Sequence, residues 1–276
     1  METRAQAAVL LGPFGRATIT RGRRAVVAHA HAEFNFLFKI AGADASFRLE
    51  SGALPLSDER MIVLNPWQSH GKEESTGGDT LILSLLIAPD WLRAQTRGVG
   101  ADSADILFPS NSVAMTPGVR AHAERLVASV TSFADAGAET LHAELLLQLV
   151  GTVREAYAAA ATPWAGGRIM DARIRRAAEV IQRSAADNPN LLTIASQVGL
   201  SRSHFFAQFK HSLGVTPQHY LDWVRMRLAI GMLSKSDLPM AEVAARLGFF
   251  APSHFTRFFT QHVAIPPGAF RRSIVS

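Results

Sequence analysis

Two related stretches near the C-terminus decide how this part of the chain folds: residues 194–217 read IASQVGLSRSHFFAQFKHSLGVTP, and residues 243–267 read VAARLGFFAPSHFTRFFTQHVAIPP. Laid over each other, they align Gly199 with Gly248, and the tripeptide Ser-His-Phe recurs after a one-residue shift. Two copies are too few for a solenoid, which needs about three repeats or more to bury its faces. The stretches therefore predict two copies of one small module.

Each copy has the pattern of a short apolar helix, a glycine and a second helix. In the first copy, Gly199 ends a helix because glycine accepts the left-handed conformation, and Ser201 caps the next helix. Phe205 and Phe209 lie four residues apart on one face, which we expect to be buried. The second copy places Pro252 in the first helical turn. This pattern predicts a helix-turn-helix, whose second helix fits the DNA major groove; a helical hairpin in an all-α core is the alternative.

The outward positions of the two second helices are the candidate base-reading residues. They are Ser203, Phe206, Ala207 and Lys210 in the first copy, and Ser253, Thr256, Arg257 and Thr260 in the second. Arg257 is the strongest candidate because a guanidinium can make two hydrogen bonds to guanine. Phe206 and Ala207 can make only apolar contacts, for example with a thymine methyl group. Arg202 and Arg225 are candidates for phosphate contacts.

The charge distribution singles out the same part of the chain. Residues 171–276 contain 13 Lys/Arg and 6 Asp/Glu, a net charge of +7, whereas residues 1–170 sum to −2. A basic excess confined to the repeated part is the electrostatic footprint of a polyanionic partner. Between the copies, residues 218–234 carry apolar positions at helical spacing and predict one continuous amphipathic helix. Such a rod would fix the distance between the two modules.

The C-terminal hundred residues resemble the DNA-binding domain of the AraC/XylS family of bacterial transcription regulators. The resemblance rests on VGLSRSHFFAQFK, GVTPQHYLDWVRMRLA and VAARLGFFAPSHFTRFF followed by IPPGAFRR, within residues 171–272. It implies seven helices and two modules that read adjacent major grooves, a homodimer, and activation through RNA polymerase. Two positions depart from the family pattern: Ala207 stands where arginine is common, and Thr260 where lysine is common.

Composition sets further limits on the protein. A length of 276 residues suggests two domains, and 48% hydrophobic with 18% charged residues is typical of a globular chain. The absence of cysteine excludes disulfides, thiol redox chemistry and thiolate metal sites. The first residues lack the apolar length of a signal peptide, and no apolar run approaches the ~18 residues of a membrane span. We therefore expect a cytoplasmic protein without membrane association.

Residues 9–88 have the pattern of many short strands, with breaks at glycines and at Asn65-Pro66. The predicted strands are 16–20, 25–40, 46–50, 53–56, 61–64 and 80–88, which suggests a barrel or jelly roll. Residues 29–39, HAHAEFNFLFK, would alternate on a regular strand, with histidines on one face and phenylalanines on the other. With the later His70, this region resembles the cupin-like sensor domain found at the N-terminus of AraC/XylS regulators.

The same stretch supplies the candidate effector residues. They are His29, His31, Asn35 and His70, with Trp67 as a further candidate that could equally be a packed turn aromatic. In metal-binding cupins, a His-x-His pair, a glutamate and a later histidine hold the metal, so His29, His31 and His70 are also metal candidates. The glutamate position falls at Asn35 or Phe36, and Glu33 comes too early. The resemblance favours an organic effector, and we expect neither a cofactor nor a catalytic residue.

From residue 117 the pattern becomes helical, with apolar stripes around residues 119–130 and 141–153. These two helices could cover the barrel or form a dimer interface. Residues 158–167, AAAATPWAGG, have the composition of a linker. The sequence thus predicts an α+β protein: a cupin-like sensing and dimerisation domain over residues 1–160, a linker over 161–170, and an all-α DNA-binding domain over 171–276.

We therefore expect a sequence-specific transcription regulator whose partners are double-stranded DNA and a small-molecule effector. That it activates transcription is implied only by the resemblance. Two other classes of function fit parts of the sequence. One is a cupin-type metal-binding enzyme or metal sensor fused to a DNA-binding module. The other is an architectural DNA binder that responds to no effector.

Overall fold

A computed structural model describes residues 7–95, 106–132, 138–160 and 171–275. It confirms the predicted α+β architecture, with a β-rich N-terminal part followed by a helical C-terminal part. The predicted linker at residues 161–170 lies outside the described residues. Within the described residues, none of the helices combines the length and apolar character that a membrane crossing requires.

Thirteen strands are present in the described residues. They are β1 (Ala7–Gly12), β2 (Gly15–Gly22), β3 (Val26–His29), β4 (Phe34–Gly42), β5 (Ala45–Leu49), β6 (Gly52–Leu56), β7 (Arg60–Leu64), β8 (His70–Lys72), β9 (Thr80–Ile87), β10 (Ile106–Leu107), β11 (Ser112–Ala114), β12 (Ala159–Ala160) and β13 (Ile274–Val275). The larger sheet has the order β11-β7-β4-β9-β2-β1-β13, and the smaller one β3-β8-β5-β6. Strands β10 and β12 form a separate pair.

The N-terminal part is built in three layers. Alternation along β4 sends Phe36 and Phe38 to one face and Leu37 to the other. Leu37 packs with Phe47 and Leu56 of the smaller sheet, so the two sheets lie face to face. The pairing therefore gives two packed sheets, with the larger sheet in the middle layer, where the sequence suggested a barrel or jelly roll.

Among the described residues of this part there are three helices: α1 (Pro89–Ala94), α2 (Pro117–Ser132) and α3 (Ala138–Tyr157). Most residues of the apolar stripes of α2 and α3, among them Leu126 and Leu149, are buried with Phe36 and Phe38 in one core. Helices α2 and α3 therefore cover the larger sheet, which is one of the two roles that the sequence predicted for them. Leu141 and Leu147 of α3 are exposed.

Seven α-helices follow in residues 171–275: α4 (Ala172–Ser184), α5 (Leu191–Gln197), α6 (Arg202–Leu213), α7 (Pro217–Lys235), α8 (Met240–Arg246), α9 (Pro252–Val263) and α10 (Pro267–Arg272). A 3₁₀ turn at Ala185–Asp187 follows α4. Helices α5 and α6 form the first module, α8 and α9 the second, and α7 joins them. This is the predicted pair of helix-turn-helix modules on one long helix.

Local chemistry explains why each module begins and ends where it does. The Ser201 hydroxyl accepts a hydrogen bond from the backbone N–H of His204 and so caps α6. Gly199 and Gly248 both have φ of 70°, the left-handed conformation that lets the chain leave the first helix of each module. The phenylalanines predicted to face inward, among them Phe205 and Phe255, are fully buried. Local sequence signals thus set the helix boundaries.

The predicted strand over residues 25–40 is wrong as one continuous element. Strand β3 ends at His29 in the smaller sheet, and β4 begins at Phe34 in the larger one. The chain crosses between the two sheets at residues 30–33, so His31 lies in the crossover. The alternation pattern could not show this break, because polar and apolar residues alternate through residues 29–36 and no glycine or proline interrupts them.

The two parts of the chain share packed surfaces. Strand β13, which follows α10, pairs in parallel with β1, placing Ile274 opposite Val9. Val9 is fully buried together with Val243 and Phe255 of the second module. The second module therefore rests directly on the edge of the larger sheet.

Candidate functional sites

The outward face of α6 carries most of the predicted first set of base-reading residues. Ser203, Ala207 and Lys210 are exposed, and so is Arg202 in the first turn. Phe206 is half-buried and packs edge-on against Phe205, with ring centroids 5.7 Å apart. The accessible part of this face is therefore small and polar, with basic residues at its two ends.

The second recognition helix, α9, exposes fewer of its predicted base-reading residues than α6 does. Ser253 and Arg257 are exposed, whereas Thr256 and Thr260 are half-buried, and the Thr260 hydroxyl donates to the Thr256 carbonyl at 2.7 Å. Arg257 is thus the accessible cation of this helix. Phe250, in the turn that leads into α9, is 98% exposed and adds an apolar group that the sequence patterns did not single out.

The predicted phosphate contact of Arg225 does not fit its position in the structure. Its side chain is buried, Nε donates to the carbonyl of Ala185 at 2.9 Å, and a terminal nitrogen donates to Asn188 Oδ1 at 2.9 Å. Burial lowers the pKa of Arg225, although Asp222 opposes the shift. The guanidinium thus ties α7 to the 3₁₀ turn that follows α4. Arg225 is therefore part of the fold.

A cavity of about 390 Å³ lies where the N-terminal sheets meet the second module. Strands β2, β3, β4, β8 and β9 form most of its wall, and residues 262–266 at the end of α9 close one side. The volume falls within the range of small-molecule pockets, roughly 300–1,000 Å³. Four predicted effector residues, His29, His31, Asn35 and His70, line it together.

Three histidines converge in this cavity. Nδ1 of His29, His31 and His70 lies 2.8–2.9 Å from a backbone carbonyl, that of Val27, Glu33 and Gln68 respectively. A carbonyl can only accept a hydrogen bond, so each Nδ1 carries the proton and each Nε2 carries a lone pair. Atoms able to bind a metal in the three rings lie within 4.8 Å of one another.

The surroundings keep these imidazoles neutral. Burial is the largest cause, and it lowers the pKa of both His31 and His70 to about 3. Burial also lowers the pKa of His29 well below its ordinary value, and the nearby His70 adds to that shift. Asn35 lies beside them: its amide nitrogen is 3.4 Å from Nε2 of His70, and its oxygen accepts from Ser84 at 3.0 Å.

Arg16, on β2, places a positive charge at the same cavity. Its Nε is buried without a hydrogen-bond partner within the described residues. Burial lowers the pKa of Arg16 to about 10, with Glu33 opposing the shift, so the side chain stays charged at neutral pH. The other charged lining residues are Arg21, Arg23, Arg24, Lys72 and Asp79. The cavity is thus electropositive and suited to an anion.

A second cavity, of about 210 Å³, adjoins the first and shares Arg16, His29 and His31 with it. Its other wall comes from α7, including Trp223 and Met226. The indole nitrogen of Trp223 donates to Glu33 at 3.2 Å, which joins the two parts of the chain. Together the cavities form a space with a polar, basic side and an apolar side, bounded by both parts.

Trp67 lies outside the walls of both cavities, so its position fits the packed turn aromatic that the sequence allowed and not the effector-lining role. Its ring packs against Tyr220 and Trp223 of α7, with centroids 5.6 and 5.1 Å away. The backbone explains this position, since Trp67 has φ of 65° and its N–H donates to the His31 carbonyl. The turn aims the indole at the helical domain.

Sequence patterns missed the Lys, Arg and Asp residues of the cavity wall and one further histidine. Arg16 and His262 come from opposite ends of the chain, and the His262 ring lies 5.8 Å from that of His29. His262 had a weak sequence signal, because the two copies of the module differ at this position: the first copy has Ser212 where the second has His262. For Arg16 no local signal existed, because its position depends on which strands are neighbours in the sheet.

The C-terminal part of the chain is similar in sequence to known helix-turn-helix proteins. A family model described as a helix-turn-helix domain matches residues 194–273. The lactose operon transcription activator of Staphylococcus xylosus is 27% identical over 103 residues, 37% of this chain and 37% of that protein. The regulatory protein PocR of Salmonella typhimurium is 32% identical over 38% of this chain and 34% of its own length. These matches thus span little more than a third of each relative.

Solved structures match over nearly the whole chain at low sequence identity. ToxT from Vibrio cholerae superposes with a TM-score of 0.53 and 12% identity, covering 94% of this chain and 98% of that one. A structure described as wild-type ToxT with bound unsaturated fatty acid gives a TM-score of 0.55 at 11% identity, covering 92% and 94%. At this identity the likeness establishes a shared two-part fold.

Proposed function

We propose that the C-terminal part of this chain is a helix-turn-helix domain of the AraC/XylS type, and that the protein is a sequence-specific transcription regulator controlled by a small anionic effector. The observation that carries the proposal is the cavity between the two parts of the chain, which the second helix-turn-helix module helps to close. An effector held there would touch both the N-terminal sheets and the DNA-reading part.

DNA recognition follows from the exposed residues of α6 and α9. Lys and Arg side chains neutralise phosphates and make the affinity salt-dependent. Arg257 can read guanine through two hydrogen bonds, and Ser203 and Ser253 can contact base edges. Arg202 supplies a phosphate contact at the start of α6. The rod formed by α7 would set the spacing of the two half-sites.

The effector class follows from the charges in the cavity. Arg16 offers a guanidinium whose Nε is buried and lacks a partner in the part of the chain that the structure describes, and such a group is stabilised by an anionic partner. The apolar wall from Trp223 and Met226 suits a hydrocarbon portion of the ligand. A small carboxylate with an apolar body fits both features. The fatty acid bound to ToxT is a ligand of this type on a similar fold.

Control would work through the position of the second module. His262, on the helix that carries Arg257, lies in the cavity wall, so a ligand that prefers one position of α9 changes DNA affinity by linkage.

We further propose that the protein activates transcription through RNA polymerase, is located in the cytoplasm and forms a homodimer. Exposed Leu141 and Leu147 on α3 support a dimer surface there.

DNA selection tests the first half of the proposal. Full-length protein would be used to select binding sites from a random pool of duplexes, with and without a mixture of small carboxylates. We expect an enriched motif with two half-sites, because two linked modules read adjacent grooves. Recovery of DNA without an enriched motif would leave an architectural binder as the better description.

Ligand-induced stabilisation tests the second half. The melting temperature of the protein would be measured with a panel of carboxylates and their amides. We expect some carboxylates to raise it while their neutral amides do not, and Arg16→Gln to abolish the effect. Arg60→Gln, which removes an exposed charge elsewhere in the same domain, is the matched control. Equal stabilisation by acids and amides would contradict an anionic effector.

A further inference from the structure

The three histidines of the cavity differ from the rest of its wall in how they are held. Each ring donates from Nδ1 to a main-chain carbonyl, at 2.8 Å for His29 and His70 and 2.9 Å for His31. Metal-ligating histidines in proteins are oriented by this type of bond, which fixes the tautomer and aims the other nitrogen at the ion. The main chain has thus oriented three Nε2 atoms before any ligand arrives.

We propose that His29, His31 and His70 bind a divalent first-row transition-metal ion, such as Zn²⁺, in the wall of this cavity. The site would be formed by β3, the crossover after it, and β8, which bring the three rings together although His70 is far away in the chain. Three imidazoles with positions left open toward a cavity are a ligand set typical of such ions.

Nε2 of His31 gives the most direct evidence for a missing partner. His31 is 7% exposed, and this nitrogen has no hydrogen-bond partner within the described part of the chain. Buried polar atoms are normally paired, so an unpaired lone pair that faces two other imidazoles points to a ligand. Asn35, which donates weakly to His70 at 3.4 Å, would give up that contact when a metal binds.

The distances fit with a modest closure of the rings. The candidate ligand atoms lie within 4.8 Å of one another, whereas Zn–N bonds of 2.0–2.1 Å put nitrogens about 3.3 Å apart in a tetrahedral site. The ring centroids of His29 and His70 are already 4.4 Å apart, and those of His31 and His70 are 5.0 Å apart. A closure of up to about 1.5 Å would complete the site.

Several positive charges line this cavity, and Arg16 is the one that acts directly on His29 and His31 and so opposes a cation there. Arg16 lines the same cavity, so a bound ion would be repelled by the guanidinium unless an anion occupies an open coordination position. A carboxylate effector could supply that anion and contact both the metal and Arg16. The metal site itself is independent of DNA binding, whereas a role for it in regulation rests on the proposed function.

Cobalt spectroscopy tests the site directly. Full-length protein without an affinity tag would be titrated with Co²⁺, whose visible absorption changes when nitrogen ligands replace water. We expect one Co²⁺ per chain, an intensified absorption, and displacement by Zn²⁺. A spectrum that stays that of aqueous Co²⁺ at stoichiometric protein would overturn the proposal, and this result does not depend on any variant.

Variants of His29 and His70 test whether these two residues hold the ion. His29→Ala and His70→Gln should each weaken Zn²⁺ binding by at least about 100-fold, since even loss of a supporting residue costs 10–100-fold. His29 is only half-buried, so its replacement should leave the fold intact, which circular dichroism checks. His211→Gln, on the exposed face of α6, is the control. Arg16→Gln should tighten binding. Unchanged affinity in both cavity variants would place the metal elsewhere.

DNA affinity, measured separately, keeps the two proposals apart. Loss of Co²⁺ binding with retained sequence-specific DNA binding would remove the metal site and leave the regulator. Retained Co²⁺ binding without DNA binding would remove the regulator and leave the metal site.

Discussion

Lys210, on the first recognition helix, lies 2.9 Å from the carboxylate of Glu50 in the N-terminal domain. A side chain proposed to face DNA is thus held by the domain proposed to sense the effector. The pair is largely exposed, with 52% of the Lys210 side chain and 74% of the Glu50 side chain accessible. Exposed pairs contribute about 0–1 kcal/mol, so this contact can adjust DNA affinity without locking the helix.

Glu50→Gln should raise DNA affinity by up to about fivefold, because the freed ammonium can pair with phosphate and the competing pair is worth no more than about 1 kcal/mol. Glu59→Gln makes the same charge change at another exposed position of this domain and controls for net charge. Equal gains in the two variants, in binding isotherms at low salt, would show a general charge effect.

Arg257→Ala should relax base preference at one position of the second half-site. The loss should be about 1–3 kcal/mol for the preferred base and little for the others, as expected for a bidentate contact to guanine. The measurement is a set of dissociation constants on duplexes carrying each base at that position. Arg60→Ala, with the same loss of charge away from the helices, is the control. Uniform weakening over all four bases would make Arg257 a phosphate contact.

Replacement of Arg225 by alanine should lower the free energy of unfolding more than the same replacement of Arg202. Arg225→Ala leaves the Ala185 carbonyl and Asn188 without their donor, which should lower the free energy of unfolding by about 1–3 kcal/mol. Arg202→Ala, at an exposed position, should change stability by less than about 0.5 kcal/mol. Urea unfolding of both variants checks this difference. A stable Arg225→Ala protein that binds DNA weakly would restore Arg225 as a phosphate contact.

The two module glycines should respond differently to the same substitution. Both have φ of 70°, so a side chain at either is strained by about 1–2 kcal/mol. A Cβ on Gly199 would meet nothing within 4 Å, whereas one on Gly248 would lie 2.2 Å from the Ala186 carbonyl oxygen. Gly248→Ala should therefore lower the thermal unfolding midpoint clearly more than Gly199→Ala. Equal losses would mean that backbone strain alone accounts for both.

Each helix-turn-helix could be predicted from local sequence. Ser201 caps the helix that follows it, Gly199 ends the one before, and Phe205 and Phe209 face the core because they are four residues apart. These signals act within one or two turns of chain, so the sequence carries them without knowledge of distant neighbours. Their repetition made the module recognisable, and the family comparison agrees with it.

The cavity could be predicted only in part. His29, His31, Asn35 and His70 were found from sequence, yet on the assumption of one regular strand that the structure breaks at residues 30–33. Their convergence comes instead from the pairing of β3 with β8, which sets His29 opposite His70. Strand register of this kind is decided by the packing of whole sheets.

The sequence by itself determined the modules, the basic charge of the C-terminal part and the presence of histidines that could act together. The tertiary structure alone decided that Arg225 is buried, that Trp67 packs on α7, and that Arg16 and His262 meet at one cavity. The physical reason is range: caps, turns and helical faces depend on interactions between near neighbours, whereas burial and site geometry depend on segments that only the folded chain brings into contact.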